Sequence, residues 1–341
     1  MARVIEHRYD DPLDLVWLDC ARTIGLTIAR SDEVYASFDG ARTLTLSTAA
    51  HFDADDSLAQ LVFHELCHGL VAGKRMRRQD WGMENVDARD LLQEHACHRL
   101  QAALADAHGL RGLFAVTTEH RVYWDALPID PLGPGDDPAI PLARDAYERA
   151  TEGPWAAPIA EALTRTAKLA AVMRTLALPA DSLWRTTRAL HASGFPEGDH
   201  AGARCGDCAW SHAAPGGVRC RQMRAGKRRA LAASLRACVR FEPKLDEAAC
   251  GACGACCREG FDRVELRARD VVKKRHPKLV AVDGFGAHLP RPDGSCVALT
   301  CSEPEAGYRC RIYDDRPRAC ADFAVGGDAC LDARRRVGLS V

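Results

Sequence analysis

His64 and His68 flank Glu65 in the apolar run LAQLVFHELCHGLVAG. A helix turns about 100° per residue, so the two histidines project about 40° apart on one face, where both imidazoles can reach one zinc ion at about 2.0–2.1 Å. Glu65 lies about 100° from His64, on the side from which a carboxylate can take the proton of a zinc-bound water. The metal lowers the pKa of that water to about 7. This is the division of labour of an HExxH site. A catalytic zinc takes a third protein ligand and keeps a fourth position open. Twenty-six residues after His68, the segment LLQEHACHRL supplies Glu94, with His98 four residues further on the same helical face. Glu94 is the expected third ligand. His95 and His98 are substitutes, and His98 is alternatively a partner behind the ligands.

A glutamate on the helix after HExxH resembles the gluzincin group of metallopeptidases, over residues 30–110. The resemblance implies a zincin-like domain in which His64, His68 and Glu94 hold zinc and Glu65 is the general base. It implies a peptide or protein substrate. The longer pattern HExxHxxGxxH does not apply, because residue 71 is Val and residue 74 is Lys. Cys67 and Cys97 are expected to pack as small buried hydrophobes. His120 and Tyr123, in TTEHRVYWDAL, are candidates for orienting a substrate or stabilising an oxyanion.

The second chemistry is thiolate. Of sixteen cysteines, only Cys20, Cys67 and Cys97 precede residue 200, and the other thirteen fall between Cys205 and Cys330. In a reducing compartment such thiols serve metals rather than disulfides. Cys205, Cys208, Cys220 and Cys238 form a four-thiolate set compatible with tetrahedral zinc or an iron–sulfur cluster. The intervening RQMRAGKRRALAASLRA reads as basic and helical. Further on, CGACGACC supplies Cys250, Cys253, Cys256 and Cys257, followed by Cys296, Cys310, Cys320 and Cys330.

This last segment resembles the CxxCxxCC zinc- or iron-chelating family, the YkgJ-like cysteine cluster proteins, over residues 247–330. In CRIYDDRPRACADF the matching places hold Ile312, Tyr313, Arg316, Pro317 and Phe323. The resemblance implies zinc or iron binding; Cys301 falls outside its pattern. Six to eight thiolates exceed one tetrahedral site, so two metals or an iron–sulfur cluster are both open. Arg316 and Arg318 are placed to offset thiolate charge.

The elements that must position these groups follow from patterning. Residues 34–48 read as two strands around the Asp39-Gly40 turn. Residues 53–73 read as a helix with Asp53, Asp55 and Asp56 at its start. A second helix is expected from Asp87 to His108, with Leu91, Leu92, Leu100 and Leu104 on its buried side. Residues 125–141 form a Pro/Gly-rich loop, and residues 142–192 read as helical throughout.

The expected fold is α+β. A zincin-like domain with a helical extension spans 1–195, a four-cysteine segment spans 203–245, and an irregular, metal-stabilised cysteine cluster spans 246–341. The 341 residues carry 46 Lys+Arg against 47 Asp+Glu, a balance that gives no global field for nucleic acid or an anionic membrane. No run of about 18 apolar residues exists, and charges interrupt the N-terminus where a signal peptide needs an apolar core. A cytoplasmic zinc hydrolase is the leading expectation. The alternative is a metal-binding or protein-modifying factor acting through its cysteines, with the HExxH domain inactive or partner-binding.

Overall fold

The computed structural model describes residues 6–73, 88–223, 229–258, 260–301 and 307–340. The fold is mixed α+β with small sheets. The chain divides into two units, residues 1–197 and 198–341. No helix among the described residues is long and apolar enough to cross a membrane.

The first unit opens with α1 (Pro12–Ile24). Asp11 starts it by accepting the Leu13 N–H at 2.8 Å, with proline at the first helical position, where a missing N–H costs nothing. Three strands follow, β1 (Thr27–Ser31), β2 (Ala36–Phe38) and β3 (Thr43–Ser47), ordered β1-β3-β2. β1 runs parallel to β3, with Thr27 opposite Thr43. β2 runs antiparallel, with Ala36 opposite Leu46. Asp39 holds the β2–β3 turn: its Oδ1 accepts the N–H groups of Ala41, Arg42 and Thr43 at 2.8, 2.7 and 2.9 Å.

Helix α2 (Leu58–Ala72) carries the HExxH residues. Ser57 caps it, accepting the Gln60 N–H at 3.2 Å, and Asp14 of α1 accepts the Ala59 N–H at 3.0 Å. Two of the amides that a helix start leaves without internal partners are thereby satisfied. α2 packs against α1, α3 (Ala88–Asp106) and α5 (Ala139–Glu152). That central place explains why it is apolar almost all round. The short α4 (Arg121–Asp125) and the long α6 (Ala156–Met173) complete the unit. In the core, Trp17 meets Phe63 and Phe114 at ring-centroid distances of 4.5 and 5.5 Å, and its indole N–H donates to Thr166 Oγ1 at 3.1 Å.

Several expectations are corrected. The HExxH helix begins at Leu58 rather than Asp53, because Asp53 and Asp56 close a turn of their own: the Asp56 N–H donates to the Asp53 carbonyl and the Asp53 N–H to Asp56 Oδ2. Asp87 lies outside the described residues. Leu91 is exposed, while Leu100 and Leu104 are buried. Residues 142–192 are not continuously helical. The chain breaks at Gly153 between α5 and α6, and beyond Met173 only a single 3-10 turn, Leu183–Thr186, forms near Pro179. Strand β1, whose TIARS has no regular alternation of apolar and polar residues, escaped the reading from sequence.

The second unit holds the hairpin β4 (Ser211–Ala214) and β5 (Gly217–Cys220), then α7 (Glu247–Cys253). A three-stranded sheet is built from β6 (Val264–Glu265), β7 (Ala281–Asp283) and β8 (Gly286–Leu289), in the order β6-β8-β7. α8 (Val272–Arg275) lies within it in sequence, and β9 (Leu299–Cys301) pairs with β10 (Tyr308–Cys310). Two short helices, α9 (Arg318–Ala321) and α10 (Asp328–Arg336), end the unit.

The described part of 221–237 is not helical. Its backbone is pinned laterally instead, with the Val218 and Leu231 amides exchanging bonds and the Cys205 and Gly206 amides donating to the Leu235 and Ala233 carbonyls. Residues 224–228 of that expected helix lie outside the described residues. The apolar clusters here are small, one around Val272 and Leu289 and one around Trp210 and Leu331. Cores of this size need covalent or metal cross-links.

Candidate metal centres

α2 and α3 face each other so that three expected ligands converge. His68 Nε2 lies 3.0 Å from His64 Nε2 and 3.1 Å from Glu94 Oε2, and His64 Nε2 lies 3.4 Å from Glu94 Oε1. A tetrahedral ion with bonds of about 2.0–2.1 Å has ligand atoms about 3.3–3.4 Å apart. The three groups therefore fit one zinc ion. Glu65 is buried and lines the same cavity.

The groups behind the ligands are equally placed. His64 Nδ1 sits 2.9 Å from Gln101 Oε1, and the Gln101 amide nitrogen donates to the Phe114 carbonyl at 2.7 Å. With the Gln101 amide oriented this way, His64 Nδ1 must be the donor, and the Nε2 lone pair points at the site. His98, wholly buried, lies 2.8 Å from Glu94 Oε1. Burial pushes the His98 imidazole down to about 4, against the raising effect of Glu94, so it is neutral. Burial also opposes charge on His64, but the carboxylates of Glu94 and Glu65 prevail and raise it to about 10. Burial alone would raise the Glu94 carboxyl, yet His68 and His64 hold it far below the usual carboxylate range. In the metal-free site His64 thus also carries a proton on Nε2, which an incoming ion must displace before the lone pair can bind it.

Of the three alternatives for third ligand, Glu94 reaches both histidines of α2. His98 stands beside it: His64, Glu94 and His98 offer ligand atoms within 4.8 Å of one another. His95 is turned elsewhere, stacked on Tyr123 with centroids 3.6 Å apart and planes 5° from parallel. The Tyr123 hydroxyl accepts from Arg99 Nε at 2.7 Å and donates its one proton to Asp137 Oδ2 at 2.9 Å. His120 does line the cavity.

Cys67 and Cys97 are buried as expected of packing residues, but Cys97 Sγ also comes 3.8 Å from His64 Nδ1. Gln101 was missed in the sequence. It stands seven residues after Glu94, two helical turns along the same face, and that spacing was a readable signal.

The cavity measures about 460 Å³. Val34, Tyr35 and Ala36, at the start of the edge strand β2, line it together with Thr117 and Thr118. Burial and the nearby carboxylates of Asp56, Asp53 and Glu65 push the Tyr35 phenol up to about 12, so it remains a neutral donor.

In the second unit no described cysteine is in a disulfide. Cys208, Cys220 and Cys238 lie near enough to Cys205 for their charges to act on its thiol. Burial raises the Cys205 thiol to about 11, and the charges of Cys238, Cys208 and Cys220 add to it. Burial also raises Cys208 and Cys220, but backbone hydrogen bonds favour their thiolates, from Glu242 and Trp210 to Cys208 and from Gln222 and Met223 to Cys220. Amides aimed at sulfur just beyond a cysteine are what a bound cation requires of its thiolate ligands. Four thiolates are the donor set of a closed tetrahedral metal site.

The eight further cysteines include the vicinal pair Cys256–Cys257, whose sulfurs are 3.9 Å apart. Cys256 is the thiolate-prone member, held down to about 7 by the Cys257 thiol, with Arg291 assisting against burial; Cys257 is pushed up. Arg316 lowers Cys310 and Cys320, which burial raises, whereas Arg318 is bonded to Asp322. The Cys301 side chain lies outside the described residues.

Comparison with known proteins bears on this second unit. A search of the curated proteins finds no match to the chain, and neither does a search of the solved structures. Residues 249–333 match the family CxxCxxCC, described as "Putative zinc- or iron-chelating domain", so this quarter of the chain is similar to a zinc/iron-chelating domain.

Proposed function

We propose that the first unit is a zinc-dependent hydrolase acting on a peptide or protein, and that the second binds zinc or iron through its cysteines. The observation that carries the hydrolase reading is the convergence of His64 Nε2, His68 Nε2 and Glu94 to 3.0, 3.1 and 3.4 Å, with Glu65 on the wall of the same cavity. Zinc held there supplies Lewis acidity toward a carbonyl oxygen. Glu65 takes the proton of the attacking water on its carboxylate and returns it to the leaving amine. His120 offers an N–H to the oxygen on which charge develops. An extended chain fits alongside β2, which borders the cavity at its sheet edge. The Cys205, Cys208, Cys220 and Cys238 set serves as a structural metal site.

The test is Glu65→Gln assayed on a mixed library of quenched peptides. Hydrolysis should fall about 10²- to 10⁴-fold with zinc content unchanged. An undiminished rate removes Glu65 from the chemistry.

A second reading is favoured by the similarity of residues 249–333 to a chelating domain. In it the protein is a metal-binding or protein-modifying factor and the first unit docks a partner. Wild-type protein that cleaves nothing in the library, together with loss of the cellular effect in Cys256→Ser, supports that reading.

A further inference from the structure

We propose that the second unit carries a binding pocket for a small organic anion, a carboxylate or phosphate group on an apolar body. The pocket measures about 380 Å³ and lies where the end of α8 and the 3-10 turn Pro277–Leu279 meet the residues that follow β10. The proposal requires neither the hydrolase nor a bound metal.

Cations reach this pocket from two parts of the chain. Arg275, His276 and Lys278 come from RHPKL, and Arg311 comes from RIYDD. Pro277 cannot continue α8, so the chain turns there, with the Leu279 N–H on the His276 carbonyl at 3.0 Å. The residues that line the pocket include no acid. Asp315, which is not one of them, accepts from Arg275 Nη1 at 2.6 Å, and its other oxygen lies 2.9 Å from His276 Nε2. That carboxylate fixes both side chains and offsets the charge of one guanidinium. Arg311 is held by a neutral group, its Nη2 donating to the Val297 carbonyl, and Lys278 is exposed. Among the described residues neither Lys278 nor Arg311 is in an ion pair, so both charges stay in excess.

The floor between them is apolar. Ile312 is buried within the Val272–Leu289 cluster, and Leu279 packs against the same cluster. A guanidinium can give a carboxylate or phosphate two parallel N–H bonds, and a lysine adds a point charge. Beside an apolar wall those charges are screened less than in open water. A bare inorganic ion would meet the cations and leave the floor wet, whereas an apolar body covers it. Small-molecule sites run from about 300 to 1,000 Å³, so this pocket suits a body of ring size with one anionic group.

The test is a titration of the full-length protein with phenyl phosphate and with benzoate, followed by saturation-transfer NMR of the ligand. A Kd on the order of 0.1–1 mM is expected. Benzyl alcohol, which keeps the ring without the charge, should bind about 10-fold more weakly or worse. Arg311→Gln should weaken both anions about 10-fold. Lys278→Glu should weaken them about 5- to 20-fold, and this exposed position keeps the test open if the Arg311 variant fails to fold. No binding of either anion, or binding that Lys278→Glu leaves unchanged, overturns the site. Equal affinity for benzyl alcohol removes the cations from recognition and overturns it as well. Inorganic phosphate binding as tightly as phenyl phosphate removes the apolar floor and overturns the organic ligand. A preference for an oligoglutamate peptide over both small anions, lost in Lys278→Glu, assigns the surface to an acidic polypeptide instead.

Discussion

His64 Nδ1 lies 2.9 Å from Oε1 of Gln101, a buried glutamine whose amide nitrogen is fixed on the Phe114 carbonyl. The pair sets which imidazole nitrogen faces the cavity. Gln101→Leu keeps the bulk but removes the acceptor. It should weaken zinc binding about 10- to 100-fold. Competition against a chromophoric chelator checks this, with His68→Ala protein marking which ion belongs to the site. Unchanged affinity would show that the tautomer is set by something else.

The core behind α2 should be sensitive to truncation. Trp17 is fully buried between Phe63 and Phe114, so Trp17→Ala should cost about 3–5 kcal/mol in denaturant unfolding. Thr166→Val removes the acceptor of the indole N–H at 3.1 Å together with the hydroxyl's own bond to the Ala162 carbonyl at 2.9 Å, and should cost about 1–3 kcal/mol. A loss below 1 kcal/mol in the first variant would contradict the packing described.

The β2–β3 turn should report on pH. Three backbone N–H bonds hold the Asp39 carboxyl down to about 2, below its ordinary 3.8. A folded value beneath the unfolded one means the ionised group favours the fold above about pH 4, and that contribution fades as pH falls toward 2. The stability difference between wild type and Asp39→Ala should therefore be constant from pH 5 to 7 and shrink below pH 4. A difference that grows on acidification would reverse the assignment.

These residues also show what a sequence reveals. His64 and His68 were legible as a pair because fixed helical spacing puts i and i+4 on one face, whereas Glu94 stands on another helix and followed only from a resemblance; Asp39-Gly40 was legible because turn chemistry is local. What was missed depended on distant partners. The expected basic helix over 221–237 yields to lateral backbone bonds with residues 205, 206 and 218. The acidic run at 53–56 folds on itself before Ser57 takes the cap. The Tyr123 hydroxyl is bonded to Arg99 and Asp137, 24 and 14 residues away, which no local spacing reveals.

The proposed hydrolase requires zinc between α2 and α3. The most direct measurement is an anomalous difference map from crystals of the full-length protein, recorded at the zinc edge. A peak within about 2.0–2.1 Å of His64 Nε2, His68 Nε2 and a Glu94 oxygen is expected. Peaks at the cysteine sites with none between these three residues would contradict it.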